Sequence, residues 1–320
     1  MLDVFFTTDV EIWCDGWTDI DRKFANAFRQ YIYGPTAKGN FGLPYQVEVL
    51  NAHGLTGVFF VESLFSARFG SDSLAEIVGM LNAGNQEVQL HVHTEWADEA
   101  RQALLENNSV KRQHLRYFSL EEQTTLIGVA LTLLHEAGAA NINAFRAGSF
   151  AMDLNTMRAL KANRILFDSS YNASMWGQDS GVMDGTAVVE PVFCEGVYEY
   201  PMTVFSDGTT KLRHAQITAC SNLELEGLLW QSLDRGSLAF VLLSHNFELL
   251  NEKRNRPDGV AVKRFNKLCN FLDRNRDSFN VRGFHGLEPR VATRQPKPLA
   301  SAAWKTAGRM VEQLGRRIYQ

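Results

Sequence analysis

Short apolar runs that stop at polar residues recur along this chain. Val4-Phe5-Phe6-Thr7-Thr8 reads as a buried strand and runs into Asp9-Val10-Glu11. Glu87-Val88-Gln89-Leu90 continues into His91-Val92-His93-Thr94-Glu95-Trp96. Ile142 to Phe145 leads to Arg146-Ala147-Gly148, and Arg164 to Phe167 leads to Asp168-Ser169-Ser170-Tyr171. Leu238 to Leu243 leads to Ser244-His245-Asn246, and Val281 to Phe284 leads to His285. Helical spacing fills the gaps. Leu74 to Ala83 ends at Gly84, and Ser119 opens a helix to Gly138 with Glu122 completing a capping box. Leu154 to Asn163 follows Asp153 as cap, Leu223 to Asp234 ends before Gly236, and Val262 to Asn275 carries an apolar stripe. This alternation predicts an α/β fold of parallel strands and crossover helices: a distorted, seven-stranded (β/α) barrel with a C-terminal helical tail. No G-x-G-x-x-G or Walker A loop is present.

The polar strand ends carry the chemistry. Side chains alternate along a strand, so His91 and His93 share a face roughly 7 Å apart, within reach of one metal ion. Asp9 and Glu11 likewise share a face, where two acids repel unless a cation lies beside them. In barrels of this kind catalytic groups collect at the carboxyl ends of the strands. Trp13, Trp17, Trp96, Tyr171 and Trp176 follow these ends. Of these, Trp13, Trp96, Tyr171 and Trp176 are the candidates for packing against a sugar ring.

In order and position these segments resemble the polysaccharide deacetylases, the family 4 carbohydrate esterases, which are metal-dependent enzymes on a distorted (β/α) barrel. That family opens with T-F-D-D, continues with H-[ST]-x-x-H, an R-x-P-Y-type segment and an Asp segment, and closes with L-x-H. Here Thr7-Thr8-Asp9-Val10-Glu11, His91 to Glu95, Arg146-Ala147-Gly148, Asp168 and Leu243-Ser244-His245 stand in that order over residues 3–287. The D-x-E opening and the H-x-H-x-E-W segment are most similar to members associated with bacterial surface polysaccharide synthesis. Val10 replaces the family's metal-binding Asp, Glu95 stands where the second His would be, and the Arg segment lacks its proline.

The resemblance implies removal of an acetyl group from an N-acetylated sugar. It makes Asp9 the general base, with Arg146 holding it, and His245 the acid for the leaving amine. Asp168 either fixes His245 or accepts a substrate hydroxyl. The metal ligands are Glu11 and His91, with His93 or Glu95 completing the set. Nitrogen and oxygen donors without thiolate fit Zn2+, and also cobalt, nickel or iron. An amidase on a small non-sugar substrate, a non-catalytic carbohydrate-binding barrel and a two-carboxylate glycosidase are the alternatives.

Composition narrows the setting. A length of 320 residues suits one large domain, read as 1–289 for the barrel and 290–320 for the tail. A net charge of −4 gives no case for nucleic acid. The four cysteines lack paired spacing, and no apolar run is long enough to span a bilayer. The chain enters a strand at residue 3, leaving no room for a signal peptide, so a cytoplasmic protein with reduced thiols is expected. Residues 14–46 read as a loop-rich insertion. In the tail, Ala300 to Tyr319 reads as a basic amphipathic helix, with Lys305, Arg309, Arg316 and Arg317 beside Trp304, Val311, Leu314 and Ile318. Such a helix can rest on an anionic inner-membrane surface or dock on the barrel.

Overall fold

The computed structural model describes residues 1–106, 111–183, 185–209 and 211–319, without the side chains of 314, 315 and 317–319. The tail residues Leu314, Arg317 and Ile318 therefore lie outside the described side chains. Two compact units are present. The first comprises Met1–Gly57, Val204–Arg282 and Pro298–Gln320, and the second Val58–Thr203 and Gly283–Lys297.

The first unit is built on the strand Leu2–Val10, buried along its whole length. It pairs in parallel with Ala239–His245, in a register that sets Asp3 opposite Ala239 and Asp9 opposite His245. That register brings two polar strand ends side by side. On its other edge Leu2–Val10 pairs with Phe279–Val281. The expected strand from Val281 to Phe284 thus lies earlier in the chain, and His285 is not at a strand end; its Nδ1 stands 3.5 Å from Glu87 Oε2. Helix Asn222–Asp234 starts with a capping box, Ser221 with Glu224. Helix Gly259–Arg274 begins three residues before the apolar stripe, because the Asp258 carboxylate accepts from the amides of Val260 and Ala261.

The insertion is more ordered than its turn residues suggest. Ile20–Phe28 is a helix burying Ile20, Phe24, Ala27 and Phe28, and it continues as one wider turn to Tyr33. Gly34, at φ +56°, ends it; a Cβ there would stand 2.9 Å from the Gly42 amide nitrogen.

The tail packs within this unit. Leu299–Ala300 pairs with Val204–Ser206, and the helix runs over Ala303–Tyr319. Arg309 is buried, with Nη2 2.8 Å from Asp207 and Nη1 3.6 Å from Glu224. Arg316 pairs with Asp258, and Glu312 with Arg264 at 2.7 Å. Trp304 and Val311 are exposed. Burial raises the Asp207 carboxyl, but the bonds from Arg309 and Thr209 outweigh it and hold the pKa at about 2. Arg309→Ala strands two buried acids and should cost about 3–5 kcal/mol, seen as a lower Tm at neutral pH. The sign with pH follows from the depressed pKa. The stabilisation is complete above the unfolded value of ~4 and fades as pH falls towards 2, so the Tm gap to wild type closes there. A gap constant down to pH 2 would refute the assignment.

The second unit is a parallel run of Val58–Glu62, Glu87–Val92, Ala144–Ala147, Phe167–Asp168 and Val197–Glu199, with Val192–Cys194 antiparallel at its edge. Val58–Glu62 is a strand that the sequence analysis passed over, although Val-Phe-Phe-Val-Glu repeats the pattern of an apolar run closed by an acid. The strand expected from Arg164 shrinks to Phe167–Asp168, because Arg164 is left-handed at φ +61° and Leu166 is exposed. The capping boxes of Ser119 with Glu122 and of Asp153 open helices Leu120–Glu136 and Leu154–Ala162 as expected. Among the described residues no helix is long and apolar enough to cross a membrane.

Candidate active site

In the first unit three groups meet where the paired strands end. The donor atoms of Asp9, Glu11 and His245 lie within 4.8 Å of one another. Asp9 and Glu11 are buried, and His245 Nε2 is 3.9 Å from Glu11 Oε1. The segment is fixed by Asn246, whose amide accepts from the Glu11 N–H at 3.0 Å and donates to the carbonyls of Glu11 and Tyr31. Trp13 donates its indole N–H to Glu11 Oε2 at 2.8 Å. The other nitrogen of His245, Nδ1, is 2.7 Å from Glu248 Oε1. Burial disfavours the charged imidazole, but Glu248, Glu11 and Asp9 outweigh it and raise its pKa to about 9. His245 is therefore an imidazolium at neutral pH, a proton donor among carboxylates.

Glu248 is the orienting carboxylate that sequence reasoning missed, and it corrects the role suggested for Asp168. Its only signal was a position three residues after His245. Asp168 is wholly buried beside Glu199, its partner in the strand register, and its Oδ1 accepts from Ser170 Oγ at 2.5 Å. Burial raises both acids, and the Asp168 charge pushes Glu199 well above the carboxylate range. Both carboxyls lie inside the fold, with no exposed face to meet a substrate hydroxyl.

In the second unit, His91 and His93 leave the end of Glu87–Val92 with ring centroids 4.8 Å apart. His91 Nδ1 is 2.8 Å from the Arg146 carbonyl, which fixes it as the protonated nitrogen and Nε2 as the unprotonated one. His93 Nδ1 is 3.3 Å from Glu95 Oε2, giving the same tautomer. Glu95 thus orients His93. The ring of His93 lies against bare backbone, since a Cβ on Gly148 would stand 2.7 Å from its Nδ1. Glu62, unforeseen like its strand, accepts from the amides of His93 and Leu64, and burial lifts its pKa to about 8. Arg146 is wholly buried, donating to the Ser169 carbonyl at 2.9 Å and hydroxyl at 3.0 Å, with its guanidinium 4.3 Å from the Phe60 ring centre.

The aromatic candidates divide. Trp13 and Trp176 keep part of their surface open. Trp96 and Tyr171 do not: Trp96 packs between Phe65 and Phe69, and the Tyr171 hydroxyl accepts from the Val188 amide at 3.2 Å. Both are core residues, because a rim position followed by an apolar wall buries the ring.

No family model matches the chain, and no curated protein sequence matches it. Solved structures do. A provisionally named polysaccharide deacetylase from Mycobacterium smegmatis is 18% identical, with 92% of this chain and 95% of that one covered at a TM-score of 0.53. The chain has the fold of the polysaccharide deacetylases. The expected α/β class and distorted (β/α)-barrel type hold. A 4-alpha-glucanotransferase from Thermococcus litoralis is 10% identical, with 89% of this chain and 38% of that one covered at a TM-score of 0.50. A family 4 carbohydrate esterase from Streptomyces lividans, solved with acetate, is 11% identical with a TM-score of 0.41, over 86% of this chain and 89% of that one. Likeness at these identities shows the fold alone, and a fold does not set the reaction.

Proposed function

We propose that this protein is a metal-dependent deacetylase acting on an N-acetylated sugar, a precursor of bacterial surface polysaccharide. The observation that supports the reading is the His91 and His93 pair, each with Nδ1 held by an oxygen. Histidines that bind zinc through Nε2 are held in this way, with the other ring nitrogen donating to an oxygen. Glu11, His91 and His93, the residues that the resemblance implies, are the proposed ligands, and Zn2+ suits two imidazoles and a carboxylate. The bound cation would acidify water and polarise the acetamide carbonyl. Asp9 takes the water proton in this reading, and protonated His245, aligned by Glu248, gives one to the departing amine. Arg146 and the Asp168–Glu199 pair position their strand ends. A cytoplasmic location is proposed with it, supported by cysteines that lack paired spacing in the sequence.

Acetate release from N-acetylated sugars by metal-loaded protein tests the reading. Activity should disappear with a chelator and return with Zn2+. Acetate release that survives complete metal removal, or none from any acetylated sugar, would overturn it.

A further inference from the structure

The helix after the first strand faces a cavity of about 300 Å³ in the first unit. Positions four apart on a helix share a face, so Arg22, Asn26 and Gln30 line it as one row, with Lys23 beside them. Arg254 and Trp13 close it. Three cations, two amide donors and one carboxylate, that of Asp15, therefore line one concave space. Arg254 is already positioned: its guanidinium stacks 4.3 Å from the Tyr31 ring centre and pairs with Asp15 at 2.9 Å. Asp19 stands 3.6 Å from Arg22. Both acids are largely exposed, and exposed ion pairs are weak enough for a multiply charged anion to displace. Guanidinium forks and amide donors match phosphate oxygens. Trp13 joins this cavity to the reaction site, since the same indole that lines it donates to Glu11.

We propose that this cavity binds a phosphate or diphosphate carried by the sugar, making the substrate a glycosyl phosphate or diphosphate rather than a neutral polymer. The substrate class rests on the deacetylase reading; the anion site does not. The test uses full-length, metal-loaded protein and inorganic pyrophosphate as probe, followed by calorimetry. Wild type should bind it, and the Arg22→Ala/Lys23→Ala double variant should bind about 10–100-fold more weakly. Lys38→Ala, in the turn between the paired strands Pro35–Thr36 and Gly39–Asn40 and outside the cavity lining, should bind as wild type does. Equal affinity in the double variant would show that pyrophosphate is held elsewhere, for instance by the cation, and would overturn the proposal. Acetate release then compares three substrates: a nucleoside-diphosphate N-acetyl sugar, a short polyprenyl-diphosphate N-acetyl sugar and a neutral N-acetylated oligomer. The double variant should raise KM for whichever diphosphate carrier wild type prefers and leave the neutral oligomer unchanged. An equal KM change for the neutral oligomer would refute the phosphate assignment. Pyrophosphate binding that depends on Arg22 and Lys23, with no acetate released from any sugar, would sink the deacetylase reading alone.

Discussion

His91→Ala should lose the cation and the activity together. His91 is 1% exposed and its Nδ1 is committed to the Arg146 carbonyl, which holds the ring in place as a proposed ligand. With one of three protein ligands gone, metal content measured on purified protein should fall to background, and acetate release with it. Glu95→Gln provides the contrast. Glu95 orients His93 through Nδ1, and loss of such an outer partner typically costs about 10–100-fold in metal affinity or activity. Excess Zn2+ should therefore rescue Glu95→Gln and fail to rescue His91→Ala. Full metal occupancy in His91→Ala, with native circular dichroism, would eliminate His91 as a ligand.

Asp9→Asn and His245→Ala should keep the metal and lose turnover, each by about 10²–10⁴-fold, the usual contribution of a positioned acid or base. In the proposed reaction both residues serve one proton path, so the two losses should not add in the double variant. His245 also sets a pH limb. Its pKa is raised to about 9, so it is protonated below that value and stops donating as pH rises through it. Turnover should fall on the alkaline side. Glu248→Gln removes the nearest negative charge and should move that limb to lower pH, whereas a merely structural Glu248 would lower activity with the limb unmoved. Near wild-type kcat in Asp9→Asn or His245→Ala would show the assigned role to be wrong.

Much of this molecule can be read from strand alternation and helix caps, because both are local. Ser119 with Glu122 and Asp153 specify their helix starts through bonds spanning three residues. His91 and His93 share a face because the strand period is two. Position after a strand end did not place Trp96 and Tyr171, since whether a ring faces solvent or a wall depends on Phe65, Phe69 and Val188, which are distant in sequence or on another segment. Helix Ile20–Phe28 was hidden by the turn residues on either side, although Ile20, Phe24 and Phe28 stood at helical spacing.

The sequence by itself determined the α/β alternation, the order of the polar strand ends and the residue types able to hold a cation and move protons. Tertiary structure decided which of those residues act on each other. The parallel register of Leu2–Val10 with Ala239–His245 puts Asp9 opposite a histidine 236 positions later, and Glu248 rather than Asp168 reaches its Nδ1. Asp168 instead meets Glu199 across another pair of strands and is buried with it. The physical reason is the range of each interaction. Caps and periodicity are set within one turn or one strand, whereas a carboxylate's charge state and partner depend on which strand end lies about 5 Å away.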